Sequence, residues 1–142
     1  MKNNPVDILL ILGSSKPNGE EIIKKAILEI SRFYYIKKQT EIIKTAAYEV
    51  DFTDYFYNQA ILIESTMAPH NLLKKLQKIE KNIGQKKKNQ FWGDRIIDLD
   101  IIFIKDLLYY DSEIIIPHEG IYNRQYIKDL IKLIGLENEK FW

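Results

Sequence analysis

No cysteine occurs in these 142 residues, so neither a disulfide framework nor a thiolate metal site is open to the chain. Charge of one sign is missing too: 21 Lys+Arg stand against 20 Asp+Glu, leaving a net charge of +1. A dedicated nucleic-acid binder is usually far more basic. Long apolar runs are also absent. Val6–Leu12 is too short for a membrane span or a secretory core, and Asp7 interrupts it. A Walker-type G-x-x-x-x-G-K-[ST] loop is lacking, so any nucleotide must be held by another architecture. We therefore expect a soluble, cytoplasmic protein with no membrane and no nucleic-acid partner.

What is present is globular. An apolar fraction of 46% with 29% charged residues can build a core. The length suits one domain, 1–142, without internal repeat or linker, and we expect a monomer. Val6–Leu12 reads as a strand ended by a turn over Gly13–Gly19. Ile22, Ile23, Ala26, Ile27 and Ile30 recur at helical spacing within 20–32, behind Glu20 and Glu21. Residues 34–45 and 56–66 read as strands, rich in Ile, Tyr, Thr and Val. A second helix spans 69–83, with Pro69 in its first turn and Gly84 behind it. Strands over 96–104, 107–110 and 113–116 and a last helix over 124–134 complete the chain. The order β-α-β-β-α-β predicts an α+β, ferredoxin-like sheet with helices packed on it.

The chemistry concentrates in the second half. Phe91-Trp92-Gly93-Asp94-Arg95 leads directly into Ile96-Ile97-Asp98-Leu99-Asp100-Ile101. Residues two apart in a strand share a face, roughly 6.6 Å apart along the backbone. An arbitrary pair of this kind most often faces solvent. Here Ile96 and Ile102 are expected to share the aspartates' face, where two unpaired charges are expensive. A divalent cation resolves that, and magnesium is typically held by one or two carboxylates plus nucleotide phosphates.

Upstream, Lys86, Lys87, Lys88 and Arg95 can meet phosphates, although lysines after a helix also simply solvate its end. The large indole of Trp92, expected to be exposed on its loop, suits a lid over a flat ring. Downstream, His118 and Arg124 follow Pro117 within reach of a polyphosphate, and Tyr126 offers a stacking face. His70, alone at a helix start, reads as structural. Asn58 enters an apolar strand, where its amide pairs either with backbone or with the edge of a heterocycle.

The string Trp92-Gly93-x-Arg95-x-x-Asp98-Leu99-Asp100, followed by Pro117-His118 and Asn123-Arg124, resembles the 6-hydroxymethyl-7,8-dihydropterin pyrophosphokinases of folate biosynthesis. Gly13-Ser14, Asn58 and Ile79-Glu80 also fall where that family has counterparts. The resemblance implies a ferredoxin-like enzyme that moves the diphosphate of ATP to the pterin's hydroxymethyl oxygen and releases AMP. It implies two Mg2+ ions on Asp98 and Asp100, with Arg95 as the third catalytic residue. ATP would be held by Gln77, Glu80, Lys87, Lys88, Trp92, Arg95, Ile101, His118 and Arg124. The pterin would meet Thr45, Ala46, Ala47, Tyr48, Phe56, Asn58, Trp92, Asp98 and Tyr126.

The chain departs from the family pattern at Ser15, where asparagine is usual, and at Ala46-Ala47, where two prolines are usual. Gln85 replaces a frequent arginine and Asp94 a frequent proline. The sequence also ends soon after its last helix. The basic-loop departures, Gln85 and Asp94, motivate an alternative, a non-catalytic nucleotide- or pterin-binding module of the same fold. A single-strand RNA-binding domain is a third reading, disfavoured by the near-neutral charge and the acidic pair.

Overall fold

The computed structural model describes residues 4–46, 55–66, 68–84 and 96–139. Four β-strands form the backbone of one antiparallel sheet. They are β1 (Val6–Ser14), β2 (Tyr35–Gln39), β4 (Tyr55–Ser65) and β5 (Asp98–Ile104), in the order β2-β4-β1-β5. Strand β3 (Ile43–Ala46) pairs with β4 beyond the end of β2. With helices α1 (Gly19–Ser31) and α2 (Pro69–Gly84) as the crossovers, this is the ferredoxin-like arrangement.

The predicted strand over 34–45 is in fact two. Between Gln39, paired with Ile61, and Ile43, paired with Asn58, three residues face two on β4. The extra residue is absorbed at Thr40, which is buried. Its backbone N–H donates to the Ala60 carbonyl, and its Oγ1 accepts the Ala60 N–H at 3.1 Å. The Gln59 amide donates to its carbonyl. A side chain thus substitutes for a missing rung. Strand β1 also runs further than expected, through Gly13 and Ser14, and the turn is confined to the residues after them.

Two apolar clusters lie on opposite faces of the sheet. On one face, Leu10, Leu12, Ile61, Ile63, Leu99 and Ile101 pack under the apolar stripes of α1 (Ile22, Ile23, Ala26, Ile30) and α2 (Leu72, Leu76, Ile79). On the other, Leu9, Ile11, Ala60, Leu62, Ile102 and Phe103 are covered by Ile127, Leu130 and Ile131. These last belong to a later helix, Gln125–Leu133, labelled α4. A single helix covers only part of a sheet face, and the end of this face towards Gly13 and Asp98 carries polar side chains instead.

The chain between β5 and α4 forms a small hairpin, β6 (Tyr109–Tyr110) with β7 (Ile115–Ile116). One short helical turn, α3 (Gly120–Asn123), follows and was not expected from the sequence. No helix among the described residues is long and apolar enough to cross a membrane.

Candidate active site

Ile43, Asn58, Gly13 and Asp98 are cross-strand partners in succession over β3, β4, β1 and β5. Paired residues of an antiparallel sheet share a face, so these four form one row at the open end. Gly13 contributes no side chain to this row, and the Asn58 amide occupies the space above it. A Cβ there would lie 2.7 Å from Oδ1 of Asn58. Asn58 is buried, with 6% of its surface exposed, whereas Phe56, two residues away on the same face, is 39% exposed. Thr45 pairs with Phe56 and extends this surface along β3. Ala46 ends β3, opposite Tyr55. Tyr126, half-buried at the start of α4, packs on the apolar cluster of this same face.

Asp98 and Asp100 are both half-buried and alternate with the buried Leu99 and Ile101. Oδ1 of Asp98 is shielded from solvent. Ile102 shares their face as expected, but Ile96 does not: it packs with the cluster under α1 and α2, because β5 begins only at Asp98. Glu80 reaches β5 from α2, its Oε2 accepting the Leu99 N–H at 2.7 Å between the two aspartates. Gln77, one turn earlier, is exposed.

A cavity of about 300 Å³ opens beside Asp100. Its walls are Leu73 of α2, Leu99 and Ile101 of β5, the hairpin residues 111–115, and His118 with Glu119. A β-bulge positions His118. Leu9 pairs with Phe103 but Leu10 pairs with Ile101, which leaves Ile102 as an extra residue. The Ile102 carbonyl instead accepts the His118 N–H at 2.7 Å. Ring atom Nδ1 of His118 accepts the Gly120 N–H at 2.9 Å, so a neutral ring carries its proton on Nε2 and offers a donor there. Gly120 packs so closely that a Cβ would meet Ile127 at 2.5 Å, His118 Nδ1 at 3.0 Å and Arg124 Cδ at 3.1 Å. That close approach brings the histidine and the Arg124 side chain to one place.

Ala47, Tyr48, Lys87, Lys88, Trp92 and Arg95 lie outside the described residues, as do Gln85 and Asp94. Of the remaining expected residues, Asp98, Asp100 and Ile101 stand on β5, Glu80 and the His118 backbone bond to it, and Arg124 lies beside His118; Thr45, Ala46, Phe56 and Asn58 lie on β3 and β4, Tyr126 on α4, and Gln77 is exposed on α2. Sequence reasoning missed two features. Gly13, named by the resemblance but given no role there, and Gly120 both act through what they leave out, which the residue pattern does not announce. His70 does not stand alone: its Nε2 meets Asp111 Oδ2, and Tyr109 donates to the same oxygen at 2.7 Å. Hydrogen bonds from the Tyr109 hydroxyl and then from the Glu113 backbone N–H hold the Asp111 carboxyl well below the usual carboxylate range. The same bond to Asp111 raises the Tyr109 hydroxyl.

The model of the 7,8-dihydro-6-hydroxymethylpterin-pyrophosphokinase (HPPK) family matches residues 9–135, nearly the whole chain. The chain belongs to this family. An HPPK relative, the folate synthesis bifunctional protein of Arabidopsis thaliana, is 32% identical over 135 residues. That match takes in 93% of this chain but only 28% of the relative. The 2-amino-4-hydroxy-6-hydroxymethyldihydropteridine pyrophosphokinase of Aquifex aeolicus is 29% identical over 119 residues, 84% of this chain and 74% of its own length. Among solved structures, a Plasmodium falciparum HPPK-DHPS matches with a TM-score of 0.58 at 15% identity. The match covers 87% of this chain and 38% of that one, and the likeness bears on the HPPK fold alone.

Proposed function

We propose that this chain transfers the diphosphate of ATP to 6-hydroxymethyl-7,8-dihydropterin, giving AMP and the pterin diphosphate. The observation that carries the reading is the position of the carboxylate pair between two different surfaces. Asp98 belongs to the row with Gly13 and Asn58, beside the exposed ring of Phe56. Asp100 belongs to the cavity with His118. An enzyme that joins a flat heterocycle to a polyphosphate needs its charged groups at such a junction.

Asn58 and Asp98 flank Gly13 two strand spacings apart, roughly 10 Å between backbones, with the Asn58 amide leaning over the glycine. There the Asn58 amide offers donors and an acceptor to the edge of a flat two-ring heterocycle lying on this face. Phe56 and Tyr126 supply apolar ring faces for stacking. The aliphatic walls Leu73, Leu99 and Ile101 suit a nucleoside in the cavity, with its phosphates directed towards Asp100, His118 and Arg124.

Asp98 and Asp100 fit a hard divalent cation: both are oxygen donors, both half-buried, on adjacent positions of one face. The two aspartates would hold Mg2+, and when bound the ions would neutralise charge on the phosphate oxygens. Arg95, with Lys87 and Lys88, would add cationic contacts, and Trp92 would cover the site. Glu80, bonded to the Leu99 N–H, holds the aspartate-bearing strand against α2.

In the transfer the hydroxymethyl oxygen attacks the β-phosphorus. The bond from that phosphorus to the α,β-bridging oxygen breaks, AMP leaves, and the hydroxyl proton passes to water. Catalysis of this kind rests on alignment and charge stabilisation. Incubation with ATP, magnesium and the pterin tests the reading. AMP formed in step with pterin diphosphate supports it, and binding of both substrates without AMP would leave only a binding module.

A further inference from the structure

The hairpin β6–β7 contributes residues 111–115 to the wall of the cavity, opposite Leu73 of α2. Two residues in each strand make a ribbon too small to hold its shape unaided. Asp111 organises it from within and from outside. Its Oδ1 accepts the N–H groups of Glu113 at 2.8 Å and Ile114 at 3.0 Å, closing the turn. Its Oδ2 accepts the Tyr109 hydroxyl at 2.7 Å and meets Nε2 of His70. His70 stands in the first turn of α2, three residues before Leu73, so the two share one side of the helix. The imidazole edge also meets the Tyr109 ring, with centroids 6.1 Å apart and planes nearly perpendicular.

We propose that His70 is a positioning residue for the nucleotide: by holding Asp111 it fixes the distance between α2 and the hairpin, and so the width of the cavity. The inference rests on ATP occupying that cavity. His70 touches no substrate and acts only through the wall. The bond joins segments 41 residues apart in sequence, so it ties the hairpin to the fold where its own ladder cannot.

The test compares wild type with His70→Ala and His70→Gln, the latter able to donate an amide N–H to Asp111. Binding of α,β-methylene-ATP with magnesium is measured by calorimetry, and steady-state kinetics give KM for ATP, KM for the pterin, and kcat. His70→Ala should weaken analogue binding and raise the ATP KM about five- to tenfold, with kcat changed less than about twofold. The pterin KM should stay as it is, and His70→Gln should recover most of the loss. Unchanged analogue affinity in His70→Ala overturns the proposal. So does equal loss in both variants, which would assign the effect to the missing ring. Wild type that binds the analogue without forming AMP removes the activity yet leaves the binding comparison decisive; wild type that binds none overturns both.

Discussion

On the face turned to α1 and α2, the strands present Leu10, Leu12, Ile61, Leu99 and Ile101 to a second apolar layer. At the alternate positions of the same strands, on the reverse face, stand Ile11, Gly13, Asn58, Asp98 and Asp100. The first face is closed by two helices. The second is closed by α4 over Leu9, Ile11, Ala60 and Leu62, and then left open. Two helices on one face fix the strands well enough that the other can give up side chains at Gly13 and carry like charges at Asp98 and Asp100. The closed face bears the stability and the open face bears the chemistry, at some cost to stability.

Substituting the acidic pair tests that division most severely. Asp98→Asn or Asp100→Asn should lower turnover about a hundred- to a thousandfold, the scale of losing a group that stabilises transition-state charge. The metal-free melting temperature should stay level or rise, because a like charge has been removed from a half-buried face. Stopped-assay kinetics and thermal unfolding in EDTA check both halves. Near-normal turnover at saturating magnesium would remove the metal-binding role.

The complementary substitution belongs to the closed face. Leu76→Ala, at a fully buried position of α2, should cost about 2–5 kcal/mol of folding free energy. Denaturant unfolding measures it. Below the transition, KM for both substrates should match wild type; a selective change in either would show that the faces are not independent.

Gly13→Ala sits on the border between them. The added Cβ displaces the Asn58 amide, and the pterin KM should rise about tenfold, the effect of misplacing one recognition group. Affinity for the ATP analogue should not follow, since the cavity lies beyond Asp100. Equal loss for both substrates would mean that Gly13 matters to the fold of the whole open end.

These contrasts also mark what could be read from the residues alone. The element order and the aspartate-bearing strand were legible, because alternation around Asp98, Leu99 and Asp100 and the helical stripes of 20–32 and 69–83 are strong local signals. The break at Thr40 was not: threonine is an ordinary strand residue, and the rung it replaces depends on Gln59 and Ala60 across the sheet. The bulge at Ile102 was hidden in a run of apolar residues, Ile101–Ile104, where no polar position marks the change of face. His70 was legible only as a lone histidine, since its partner lies far along the chain. Local pattern fixes elements, whereas long-range polar contacts position the walls between them.

The smallest expected effect concerns that wall. Asp111 has a folded-state pKa depressed below the ordinary carboxylate value, through Tyr109 first and the Glu113 N–H next. A carboxyl depressed in this way contributes stability above its unfolded pKa, about 3.9, and loses it as the pH falls through the folded value. At neutral pH, therefore, Asp111→Asn should melt slightly below wild type. As the pH is taken below about 4, the wild type should approach the variant. The contribution is modest because the group is exposed to solvent screening. Melting curves of the two proteins between neutral pH and strong acid check it. A gap that stays constant with pH would mean that the charge on Asp111 is immaterial and that the turn is held by shape alone.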